Sequence, residues 1–134
     1  MADFTKIHAL NRKIKTLVQD IKRRTPNNPD VYRMAERVNT AIGISPVQFA
    51  EAVGEVLYFN KKDITEADED SFLNRDFESE IAGSDHTAET IDIGTSLLPL
   101  VKEQWKSLNS EEKLEYIDIV QGALDDYIIY LASK

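Results

Sequence analysis

The sequence predicts an all-α fold, a single-domain helical bundle of five to seven helices spanning residues 1–134. Three observations predict it. Apolar residues recur at spacings of three and four over most of the chain, which gathers them on one side of a helix. Glycine and proline are scarce, at five and four residues in 134, and most mark the ends of the apolar runs. The runs are preceded by helix-start signals, in which a capping residue is followed by proline or by an acid or amide three positions on.

The first helix is predicted over 3–24. Phe4, Ile7, Leu10, Ile14, Leu17 and Ile21 share one face, and Asp3 is its N-cap. Lys22, Arg23 and Arg24 sit at its C-terminal end, where the helix dipole favours cations. Thr25-Pro26-Asn27-Asn28-Pro29 ends it and starts the next helix, with Asn28 as cap and Pro29 in the first turn. That second helix is expected to run to about Ile42, with Val31, Ala35, Val38 and Ile42 inward. Gly43 is read as its left-handed terminator.

Ser45-Pro46-Val47-Gln48 predicts a third helix opened by a capping box, with Ile44 and Phe49 as a hydrophobic staple. Phe49, Ala50, Val53, Val56 and Leu57 are its buried positions, and it ends near Asn60. Gly54 lies inside it at a cost of about 1 kcal/mol against alanine, which predicts a close helix crossing at that point.

Residues 63–92 form an acidic connector with eleven Asp or Glu and one basic residue, Arg75. Ile64, Phe72, Leu73, Phe77 and Ile81 are expected to anchor it to the bundle. A short helix is predicted through Leu73, a turn at Asn74-Arg75-Asp76 and a loop at Ala82-Gly83-Ser84-Asp85. The back helices occupy 93–134. They follow a short helix around 87–94, one runs from Ser96 to Leu108, and the last is capped by Asn109 with Glu112 at the third position. In the last helix Ile117, Val120, Leu124, Ile128 and Leu131 are assigned to the inner face. Glu115, Asp118, Gly122 and Asp125 are assigned to the outer one. Ile129 falls on that outer row, so the helix end around Tyr127-Ile128-Ile129-Tyr130-Leu131 is apolar almost all round.

Charge is unevenly spread. Residues 1–40 carry nine Lys or Arg against four Asp or Glu, and the remainder carries seven against twenty, giving the net −8. The absence of cysteine excludes disulfides, thiolate metal sites and thiol nucleophiles. No apolar run is long enough to span a bilayer and no secretory signal is legible, so a cytoplasmic, intracellular setting without a membrane partner is expected.

No catalytic constellation is legible. His8 and His86 stand outside any metal-ligating spacing, and no glycine-rich phosphate loop occurs. Glu51 and Glu55 lie one helical turn apart, but the Glu-x-x-His partners of a di-metal bundle are missing. A calcium loop begun at Asp68 would need glycine where Leu73 stands and an oxygen ligand where Phe72 stands. Neither a cofactor nor a metal is therefore expected, and the chain is read as not an enzyme.

Two resemblances are carried by short stretches. Trp105, Leu108, Glu111-Glu112-Lys113, Tyr116 and Tyr127 resemble the run that joins the last two helices of an HMG box. That likeness implies a helical hairpin there. It does not extend to DNA bending, because the positions that would face DNA are acidic or neutral. The order Pro29, Arg37-Val38, Ala41-Ile42, Pro46, Phe49, Ile64, Asp68-Glu69-Asp70, Phe72-Leu73 and Asp76 resembles small uncharacterised helical proteins of large DNA viruses of protists and algae. It implies a setting, in a host cell or virion, and no reaction.

The functional expectation is a protein–protein interaction or assembly module whose partner is another protein or a second copy. Its contact residues are expected to be Tyr127, Ile129 and Tyr130, with Phe72 and Phe77 on the acidic connector as a second surface. The alternative is a regulatory protein that binds nucleic acid through Lys13, Lys15, Lys22, Arg23 and Arg24.

Overall fold

The computed structural model describes residues 2–74 and 99–134, without the side chain of Phe72. All regular structure among them is helical. The elements are α1 (Phe4–Arg24), α2 (Pro29–Ile44), α3 (Pro46–Phe59), α4 (Lys61–Glu66) and α5 (Glu69–Asn74). They are followed by α6, seen over 99–105, and α7 (Ser110–Ser133). The turn at Asn74-Arg75-Asp76, the anchors Phe77 and Ile81, the loop at Ala82–Asp85 and the short helix at 87–94 fall wholly or partly outside the described residues.

The long helix α1 lies at the centre. It packs most extensively on α7 and also touches α2 and α3, while α3 touches α2 and α7. The second and last helices thus flank the α1–α3 pair. Ile7 and Leu10 are fully enclosed at 0% exposure, each burial stabilising the fold by about 2–3 kcal/mol. Ile14 and Val18 join them, together with Met34, Ala35 and Val38 from α2. The same cluster takes Phe49, Ala50, Val53 and Leu57 from α3 and Ala123, Leu124, Tyr127 and Tyr130 from α7. A second cluster closes the far end, where Leu17, Ile21 and Val31 meet Trp105, Leu108 and Tyr116.

The caps explain why the helices start where they do. Asp3 accepts from the Thr5 amide, and Asn28 accepts from the amides of Asp30 and Val31 at 3.0 and 3.3 Å. Asn109 and Glu112 exchange side-chain bonds with each other's backbone, both at 2.9 Å, completing a capping box. Three start or stop signals behave differently from expectation. Gly43 does not terminate α2, which continues to Ile44, and no described glycine has a positive φ. Ser45 occupies the N-cap of α3 without a side-chain cap bond, so the box with Gln48 does not form. Ile44 is 80% exposed and does not staple onto buried Phe49. The three departures share one cause. The α2–α3 turn is reduced to Ser45 alone, whose amide bonds to the Ala41 carbonyl while its own carbonyl accepts from Phe49, leaving no room for a flared entry.

The first part of the connector is anchored as expected through Ile64 and Leu73, which pack on the two clusters. It is two helices rather than one. Ala67 adopts φ 52° between them, and Asp68 accepts from the Ser71 amide at 3.0 Å to start α5 afresh. Trp105 on α6 donates its indole N–H to Glu69 at 3.0 Å, and Lys113 reaches the same carboxylate oxygen at 2.7 Å. One acid thereby ties α5, α6 and α7 together.

Candidate interaction surface on the last helix

The inner arc of α7 is set by its two neighbours. On the α3 side, Tyr127 lies over Gly54, where a methyl group would overlap the aromatic ring. The crossing that Gly54 predicts is therefore present. Tyr127 is 6% exposed. Its phenol is pushed up to about 12, first by burial and then by the negative field of Glu55 and Glu51. Tyr130 is 3% exposed, with its ring centroid 6.3 Å from those of Phe4 and Tyr127.

On the α1 side polar pairs are added to the shared apolar core. Asp126 is buried and accepts from the Lys13 ammonium at 2.6 Å, with Lys6 3.9 Å away. Gly122 lets this lysine pass, since a Cβ there would lie 2.9 Å from the lysine Cε. One helix end along, Asp20 receives hydrogen bonds from Arg23, from the Arg24 Nε at 2.8 Å and from the Tyr116 hydroxyl. Arg24 also pairs with Glu112. Burial works to raise the Asp20 pKa, but these donors prevail and hold the carboxyl at about 2.

The expected contact residues are thus divided. Tyr127 and Tyr130 lie in the core of the chain itself and offer no outer surface. Their burial follows from the width of the arc, since a helix packed by two neighbours buries more than one narrow stripe. The glycine opposite and Ala123, at 0% exposure, make room for large rings. Ile129 stands on the outer row with exposed Asp118 and Asp125, itself 44% exposed. Ile128 and Leu131, assigned inward from the sequence, are 40% and 36% exposed. The inner face is rotated toward Tyr116, Ala123, Tyr127 and Tyr130. The Phe72 side chain and Phe77 lie outside the described residues.

The cations of the nucleic-acid alternative are partly engaged within the chain. Lys13 serves Asp126, Arg23 and Arg24 serve Asp20, and the Lys22 ammonium sits 4.8 Å from the Tyr32 ring centroid. Lys15 is half-buried and His8 is exposed. Among the described residues no group of three or more acids or histidines is placed to hold a metal ion. No described helix is long and apolar enough to cross a membrane.

Sequence reasoning missed Asp20, Asp126 and Tyr116. The signal for Asp20 was present, as it is the one acid in the basic run from Arg12 to Arg24. Asp126 carried none, because its partner lies 113 residues away. No family model, curated protein or solved structure matches the chain.

Proposed function

We propose that the chain is a non-enzymatic protein–protein interaction or assembly module whose contact surface is the outer face of α7. The observation that carries this reading is the exposure of Ile128 and Ile129 at the end of a helix whose inner arc is already filled by Tyr127 and Tyr130. Exposed β-branched residues on a helix add nothing to its intrinsic propensity, so their value there lies in what they touch. Association with a second copy and association with another protein are both forms of this reading. The viral setting implied by the resemblance makes a virion or assembly component its narrower form.

The test is affinity purification from the native source, with wild type and Ile129→Glu as parallel baits, and sedimentation of both. A partner or a self-association present in wild type and absent from the variant supports the reading. Two folded proteins with the same sedimentation and the same companions would sink it.

Binding of nucleic acid through α1 ranks second. It draws on the local charge of +5 over residues 1–40, but Lys13 and Arg24 already hold carboxylates of the same chain. A gel shift at low salt that disappears with Lys15, Lys22 and Arg23 changed to Ala would restore it to first place.

A further inference from the structure

The outer face of α7 has a pattern that selects among partners. Leu114, Asp118, Asp125 and Ile129 are all exposed and follow one another at intervals of four, seven and four residues. Those intervals keep them on one side of the helix, along about 22 Å. The row runs apolar, acidic, acidic, apolar. Leu114 is 62% exposed, the most of any residue of α7 with a large hydrophobic side chain. Neither Asp118 nor Asp125 engages an ion pair with a described residue, and Glu111 adds a further exposed acid before Leu114.

The sequence of intervals reads the same in both directions. If two copies met antiparallel through this face, Leu114 would reach Ile129 of the other copy. Asp118 would then face Asp125 of that copy, twice over. Like charges opposed at an interface cost several kcal/mol, so the pattern excludes its own copy at neutral pH. The basic strip of α1 does not complement it either. That strip exposes Thr5, His8, Arg12, Thr16, Gln19 and Arg23, of which Arg12 and Arg23 carry positive charge, and its large apolar side chain, Phe4, stands at one end only.

We infer that α7 docks a basic amphipathic helix of another protein, one that brings apolar side chains to Leu114 and Ile129 and an arginine or lysine to each of Asp118 and Asp125. Charge complementarity selects this occupant and rejects the second copy. The inference rests on the interaction-module reading and names its partner class.

The probe is a fluorescent alanine-based helix of about 22 residues, with leucine at its fourth and nineteenth positions and arginine at its eighth and fifteenth. Fluorescence anisotropy should show binding to the wild-type chain, weakened about tenfold or more when the two arginines become glutamates. The double variant Asp118→Arg, Asp125→Arg should reverse that preference. A variant with the same change in net charge elsewhere, Glu66→Arg with Asp70→Arg, should keep the wild-type preference. Unaltered preference in the Asp118, Asp125 variant would overturn the inference, as would equal reversal in the Glu66, Asp70 variant. Self-association of wild type that Ile129→Glu disperses would also overturn it, while leaving the module reading intact. No peptide binding, no self-association and no companion lost from the Ile129→Glu bait would remove both.

Discussion

The two seams that α7 makes with α3 and α1 are held by different forces. Against α3 the contact is steric and apolar, with Tyr127 on Gly54, and its ion pair, Lys134 to Glu51 at 3.4 Å, sits on the exposed rim where such pairs contribute little. Against α1 the contact is organised by carboxylates, Asp126 under Lys13 and Asp20 under Arg23, Arg24 and Tyr116. The first seam sets how closely α7 approaches. The second sets its position along α1, because a buried charge tolerates only the register that supplies its partner. The steric seam should therefore respond to side-chain volume and ignore solution conditions, and the carboxylate pairs of the other seam should make it respond to salt and pH as well.

The largest expected effect comes from crowding the first seam. Gly54→Val places a branched side chain in the space of the Tyr127 ring and should cost about 3 kcal/mol, read from urea unfolding. In a Tyr127→Ala background the same change should cost less than about 1 kcal/mol, because the overlap is gone. Equal costs in both backgrounds would show that the seam is not closed at this pair.

Next comes the buried carboxylate of the second seam. Lys13→Met leaves Asp126 with Lys6 alone, 3.9 Å away, and should cost about 2 kcal/mol, less than for a wholly buried pair because Lys13 is partly exposed. Part of this loss should vanish when the wild type is measured at high salt, whereas the Gly54→Val penalty should not change with salt.

Asp20 sharpens the pH side of the comparison. Its folded pKa, about 2, lies below the ordinary carboxylate value. The stabilisation is therefore complete above the unfolded pKa near pH 4 and is lost as the pH falls towards 2. Asp20→Asn should cost about 1–2 kcal/mol at pH 7 and flatten the acid limb of the stability profile. A variant with an unchanged acid limb would place the acid sensitivity elsewhere. The smallest effect belongs to the outer face. Ile129→Glu should change stability by no more than about 0.5 kcal/mol, since the residue belongs to neither seam.

The ease with which each seam could be read from the sequence also differs. The steric seam announces itself, because Gly54 stands where a helix should not have glycine. The starts of α1, α2 and α7 were equally legible, since Asp3, Asn28 and Asn109 cap residues close by in the chain. The polar seam was not legible, because Lys13 and Asp126 meet only through the tertiary fold. The same gap rotated the inner face assigned to α7. A helix gripped by α1 and α3 together, with isoleucine and leucine on its outer side as well, shows too little contrast between faces for periodicity to orient it. Gly43 misled for the opposite reason. Glycine permits a left-handed stop without requiring one, and Ser45 made the turn instead.

The central place of α1 also governs how the chain is made. The helix it packs on most extensively, α7, follows the other described helices in the chain and is synthesised after them. While the ribosome is still reading the connector, Ile7, Leu10 and Ile14 have α2 and α3 to cover them but nothing from Ala123 or Tyr130. Completion of the core therefore waits for α7, a contact of high sequence separation that slows folding and leaves apolar surface open to solvent on the nascent chain. The nascent protein should be a client for chaperones until α7 emerges, and a premature stop anywhere before Ala123 should yield a product destined for proteolysis.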